Sequence, residues 1–164
     1  NITPFQPAVV TVGSIQAGHA PNIINDKVLM KLTVRTLDEH VRQTVLQRIH
    51  DIAVAQAESF NATATIRHIN GSPVLKNNPQ ANEMVRSVAT DLFGQDAVAE
   101  VNAFMGSEDF AFMLDKNPNG CYFTLGAGDE PDRCMVHNPG YDFNDNILLT
   151  GAALWAALTE HYLR

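Results

Sequence analysis

The residues in this chain best equipped for chemistry are few, and most of them fall in turns. His137 sits in "CMVHNPG", a loop just beyond a strand-like run that ends in glycines. The carboxyl end of a strand is where α/β proteins gather functional groups. An imidazole there is a metal ligand or acid–base group in one reading and a solvated side chain in the other. Cys121 and Cys134 would join it in a partial zinc set, but the spacing is loose and a nearby fourth ligand is lacking. "MGSEDF" (105–110) puts Gly106 and Ser107 at an expected helix start. Backbone N–H groups there suit an anion such as a carboxylate, and ordinary capping uses the same residues. Gly126 and Gly128, in "GAG", let a backbone approach a ligand closely or merely turn the chain. Glu108 and Asp109 are neighbours, which a helix cannot aim at one site, so they are not read as an acid–base pair.

Asn22 and Arg35 form a second group. Arg35 is on the less apolar face of an alternating run, and its fork of donors fits a carboxylate. Asn22 belongs to "QAGHAPNIIND" (16–26), a turn-rich stretch between two strand-like runs. The connection is expected to bring Asn22 close to Arg35. A turn asparagine and a solvated arginine are the plain alternative.

The elements that must position these residues follow from periodicity. "AVVTVGSI" (8–15) is β-branched, and "VLMKLTVR" (28–35) alternates Val28, Met30, Leu32 and Val34 against Leu29, Lys31, Thr33 and Arg35. Thr36 and Glu39 have capping-box spacing, and apolar residues at helical spacing predict a helix over 38–59. "ATATIRHI" (62–69) reads as a third strand, making the first part β-β-α-β, an antiparallel sheet under a helix. The turn-rich run 70–79 is the expected boundary. Beyond it, Pro79 opens a helix with the stripe Ala81, Met84, Val85, Val88 and Leu92, stopped at Gly94. A short strand (97–101), a helix capped by Ser107, an apolar strand (121–128) and a helix over 146–163, apolar almost all round, complete the reading. Such a last helix should be buried against a sheet, yet the second part holds too little sheet to cover its helices. It reads as half of an α/β domain whose other strands lie elsewhere.

Composition narrows the partners. Eleven basic against 18 acidic residues give a net charge of −7 without a basic cluster, which argues against nucleic acid and an anionic membrane surface. No apolar run approaches the roughly 20 residues of a membrane span. The N-terminal residues lack the order of a signal peptide. Two cysteines do not make a disulfide framework, and reduced thiols in a cytoplasmic protein are expected. The first residue is Asn1 rather than Met, so the chain is expected to be a piece of something longer.

"VVTVGSIQAGHAPNIINDKVLMKLTVRT", "GSEDFAFML", "YFTLGAG" and "VHNPGYDFND", in that order and followed by an apolar helix, resemble the M20 metallopeptidase and amidohydrolase family. The likeness is greatest to its branch of hippurate hydrolases, N-acyl-amino-acid amidohydrolases and auxin-conjugate hydrolases. The resemblance implies an α/β catalytic domain with a site for divalent metal, usually two zinc or manganese ions. It also implies a smaller α+β lid, inserted in mid-chain, that forms a homodimer. Residues 1–70 would be the later part of that lid and residues 71–164 the last part of the catalytic domain. By the same resemblance His137 is a metal ligand, and Asn22 and Arg35 bind the carbonyl or carboxylate of a small N-acyl amino acid or peptide, often across subunits. Gly106, Ser107, Gly126 and Gly128 line the cleft floor. Asn25-Asp26 stands where relatives often have Pro-Asp, and Pro21 where many have an aromatic residue or histidine. The family's other ligands and its general-base glutamate have no counterpart here, so the chain alone is expected to be inactive. A dipeptidase, a carboxypeptidase or a diaminopimelate deacylase is the alternative within the family. A non-catalytic binding or dimerisation module is the alternative outside it.

Overall fold

The computed structural model describes residues 2–69, 71–128 and 133–164. By contacts the chain falls into two compact units, Asn1–Leu75 with Asn102–Ala111, and Lys76–Val101 with Phe112–Arg164. The break between Leu75 and Lys76 lies inside the turn-rich run 70–79, of which Asn70 is outside the described residues.

In the first unit, strands β1 (Ala8–Ala17) and β2 (Val28–Thr36) pair antiparallel as a two-stranded sheet. Val10 faces Val34 and Val12 faces Leu32, so branched apolar residues meet across the ladder. The register slips between Val12 and Ser14, which leaves Gly13 as the extra residue of a bulge. Helix α1 (Glu39–Glu58) follows and packs on both strands, burying Val41 and Val45. Leu32 and Val34 are half-buried while Val28 and Met30 are exposed, so the apolar face of β2 is covered at its helix end only.

The start of α1 departs from the capping-box expectation. Its cap is Asp38, whose Oδ1 accepts from Val41 N at 3.0 Å, while Thr36 Oγ1 donates to Asp38 O at 3.0 Å. A carboxylate two residues nearer the helix also meets the positive end of its dipole. Asp38→Ala is expected to cost about 1 kcal/mol, read as a lower urea midpoint with an unchanged slope.

Three expected strands are not formed among the described residues: 62–69, 97–101 and 121–128. The physical reason is shared, because an extended run becomes a strand only when its backbone groups meet a neighbour's. In 62–69, Ala64 and Ile66 are half-buried and their neighbours exposed, a strand's alternation without a partner. In 97–101, a short 3-10 turn (Gln95–Ala97) takes up the beginning. In 121–128, the Asn77 side chain mimics a strand: Oδ1 accepts from Tyr122 N and Nδ2 donates to Tyr122 O, both at 2.8 Å.

The second unit is built on α2 (Pro79–Phe93) and α4 (Leu148–Tyr162). Asn78 caps α2 by accepting from Ala81 N at 3.0 Å, Pro79 stands at its first position, and Gly94 ends it at φ 86°, a left-handed value that suits glycine. Val88, Leu154 and Leu158 form the core, with Met84, Val85, Ala89, Phe123 and Ala157 against it. Helix α4 therefore packs on a helix and on the Phe123 strand-like run rather than on a sheet, and Leu148, Leu149 and Trp155 stay exposed. Of the short α3 (Phe110–Lys116), Leu114 belongs to this unit and Ala111 to the first, and both are buried. Among the described residues no helix is long and apolar enough to cross a membrane.

Candidate functional site

His137 is held by its backbone and not by its side chain. It lies at the third position of a turn in which Asn138 N donates to Met135 O at 3.1 Å, and its φ is 70°. That sign is required at the corresponding position of a type II turn and is uncommon outside glycine. A second turn follows directly, with Tyr141 N donating to Asn138 O at 2.9 Å and Gly140 N to Asn138 Oδ1 at 2.8 Å. The His137 imidazole is exposed. A non-glycine residue kept in a sparsely populated conformation is a pointer to function.

The fit to a metal centre is incomplete. Among the described residues no group of three or more His, Cys, Asp and Glu side chains can hold a metal ion. Cys121, Cys134 and His137 are all described, so the partial zinc set seen in the sequence is not assembled. Cys121 is half-buried beside Asn82, at 3.5 Å from Sγ to Oδ1, and burial pushes its thiol pKa up. Less thiolate makes it a poorer ligand and nucleophile.

The loop holding Asn22 closes the far end of the hairpin from Arg35. Ala17 pairs with Val28 at the loop, whereas Arg35 pairs with Val9 at the other end. At about 3.3 Å per residue, β2 carries Arg35 roughly 23 Å beyond Val28. The expectation that one hairpin brings Asn22 and Arg35 together is therefore wrong. In an antiparallel pair joined end to end, a residue late in the second strand is remote from the loop. Asn22 is exposed, in a loop where Asn25 Nδ2 donates to Lys27 O.

Arg35 instead meets the segment carrying Gly106 and Ser107, for its Nη1 donates to Met105 O at 2.5 Å. That leaves most of its donors unused by this contact. Gly106 lies under the ring of Phe104, where an added Cβ would come within 2.7 Å of a ring carbon. The sequence reading makes Ser107 the cap of α3. The helix begins three residues later, and Glu108 Oε1 accepts from Phe110 N at 3.1 Å.

Gly126, Gly128 and His137 belong to the second unit. Gly128 has φ 108°, and Ala127 O between the two glycines accepts from Arg133 Nη1 at 2.9 Å and from Asn144 Nδ2 at 2.7 Å. The sequence reading missed Arg133 and Asn144. Asn144 lies inside the "VHNPGYDFND" motif, which was the available signal, but nothing local ties it to a carbonyl 17 residues earlier. A groove of about 320 Å³ in the first unit is lined by Arg42, Gln43, Leu46, Gln47, His50 and His68, none of them a predicted site residue. Three of its polar side chains are engaged along α1: Gln43 and Arg42 bond Glu39, and the Gln47 hydrogen bond holds the Asp51 carboxyl below its usual range.

The family model of peptidase family M20/M25/M40 matches residues 4–161. The chain belongs to that family. It is 34% identical over its whole length to a hippurate hydrolase of Campylobacter jejuni, of which it covers 42%. It is 31% identical over 98% of its length to IAA-amino acid hydrolase ILR1-like 2 of Arabidopsis thaliana, covering 37% of that protein. The chain thus spans less than half the length of these curated relatives. The crystal structure of a proposed aminohydrolase from methicillin-resistant Staphylococcus aureus superposes with a TM-score of 0.79 at 24% identity, over 99% of this chain and 42% of that one. That likeness speaks for the fold, a mixed α/β one.

Proposed function

We propose that this chain is the C-terminal portion of a metal-dependent amidohydrolase that cleaves N-acyl amino acids of the hippurate type into a carboxylic acid and an amino acid. The observation that carries the reading is the alignment with a hippurate hydrolase along the whole of this chain. The chain covers 42% of that relative's length. Residues 1–70 serve as part of a lid and residues 71–164 as part of the catalytic domain. His137 contributes one ligand to a zinc or manganese site whose other ligands lie outside this chain. The positive φ at His137, an uncommon backbone conformation for a side-chain-bearing residue, and the exposure of this histidine support that role.

Asn22, Arg35, Gly106, Ser107, Gly126 and Gly128 hold the substrate. A single hairpin keeps Asn22 and Arg35 farther apart than a small N-acyl amino acid is long. They therefore serve one substrate only when they come from two copies of the chain, which is the role of a lid-mediated homodimer. Holding the substrate's carboxylate orients its amide for attack. The enzyme is cytoplasmic.

The test is a panel of N-acyl amino acids, hippurate included, and simple dipeptides. The full-length protein and this chain alone are assayed side by side, with zinc or manganese added. Hydrolysis of the acyl amino acids by the full-length protein and none by the chain is expected. Preference for dipeptides would move the protein to the peptidase side of its family. Metal-dependent turnover by the chain alone would mean that its site is more complete than its side chains indicate.

A further inference from the structure

The glycine stretch 126–128 has a closed side and an open one. On the closed side the Ala127 carbonyl takes two hydrogen bonds, from half-buried Arg133 and half-buried Asn144. A Cβ added to Gly128 would meet Arg133 Nη1 at 3.4 Å and Asn144 Nδ2 at 3.6 Å, whereas one added to Gly126 would meet nothing within 4 Å. Gly126 and Gly128 are exposed and Ala127 is half-buried between them.

Asn144 uses both ends of its amide. Its Nδ2 donates to Ala127 O, and its Oδ1 accepts from Asn146 N at 3.2 Å, at the short 3-10 turn Asp145–Ile147 that leads into α4. The terminal helix and the glycine stretch are thus tied through one side chain. No peptide bond in the described chain is cis. In a trans peptide the carbonyl and the N–H point in opposite directions. Holding Ala127 O on the closed side therefore turns the Gly128 N–H to the other side, where it has no hydrogen-bond partner among the described residues.

We propose that Asn144 and Arg133 are positioning residues for the substrate: by clamping Ala127 O they hold the Gly128 N–H ready to donate to a carboxylate or carbonyl oxygen of an N-acyl amino acid. The inference rests on the reading of Gly126 and Gly128 as substrate-lining residues. Two glycines leave this stretch free to take many conformations, and an unclamped loop would have to be ordered by each substrate. Clamping in advance lowers KM while leaving the bond-breaking step to other groups.

The substitution that isolates the clamp is Asn144→Asp. Aspartate caps a helix as well as asparagine does, so the bond to Asn146 N is kept, while an oxygen replaces the donor facing Ala127 O. Arg133→Met removes the second donor, and Arg133→Lys retains a charged donor as the conservative control. The measurement is steady-state hydrolysis of hippurate by the full-length protein, with thermal midpoints recorded in parallel. The double variant Asn144→Asp/Arg133→Met is expected to raise KM about tenfold with kcat within about threefold of wild type, as for loss of hydrogen bonds that place a binding group. Arg133→Lys should recover much of the single-variant loss. An unchanged KM in the double variant overturns the proposal. So does a fall in kcat and thermal midpoint together at constant KM, which marks a merely structural tie. If wild type does not hydrolyse any acyl amino acid, the substrate reading itself fails and the inference falls with it.

Discussion

His137→Ala in the full-length protein is expected to lower turnover of N-acyl amino acids at least about 100-fold and to weaken metal retention in parallel, with little change in stability. The magnitude follows from what a ligand shell does: even residues that only orient the ligands are worth about 10–100-fold in affinity or activity, and a ligand is worth more. The small effect on stability follows from the turn. Its bonds run between Asn138 N and Met135 O and between Tyr141 N and Asn138 O, so none uses the imidazole. The side chain is exposed, and alanine in its place buries nothing and leaves no cavity. Kinetics, equilibrium dialysis of zinc or manganese, and a urea titration measure the three quantities together. Wild-type turnover and metal retention in the variant would remove His137 from the metal site.

The largest effect on stability is expected at Leu154. It is 4% exposed in the core of the second unit, against Val88 and Leu158. Leu154→Ala should cost about 3 kcal/mol through lost burial and the cavity left behind. That is a large share of the roughly 5–15 kcal/mol that holds a typical domain. Leu149→Ala, one turn and a half earlier on the same helix, should change stability by less than about 0.5 kcal/mol, because Leu149 is 85% exposed. Urea titrations of the two variants separate these cases. Equal losses would mean that the face of α4 carrying Leu149 is also packed in solution.

These two leucines show how much of the fold was legible. The composition of 146–163 identifies a helix and its apolar character, but a helix apolar on most sides does not declare which side meets α2. That choice rests on the rows of α2 that Val88, Met84 and Val85 present to it. The other helices were legible because their determinants are local. The predicted 38–59 became Glu39–Glu58, and the helix opened by Pro79 and closed at Gly94 ran Pro79–Phe93. Where spacing pointed to Thr36 as the cap of α1, geometry chose Asp38. Counting residues did not.

The candidate site was legible in kind but not in arrangement. The family follows from four motifs in order, and the chain belongs to it. Asn22 and Arg35 were placed side by side because thirteen residues of sequence look short, yet a hairpin puts them at opposite ends of a strand. Arg133 and Asn144 went unnoticed because their shared acceptor is a backbone carbonyl, which every residue has.

By itself, then, the sequence determined the helices, the two strands of the hairpin, the acidic character and the family. Helical hydrogen bonds, caps and an alternating face are all set by neighbours a few residues away. Only the tertiary structure decided which extended runs form a ladder, which face of α4 is buried, that Arg35 reaches Met105, and that Ala127 O is clamped. Each of these depends on groups tens of residues apart meeting in space, such as the 70 residues between Arg35 and Met105. Residue type and spacing say which groups are capable of such a contact. They do not say which partner the folded backbone will bring within reach.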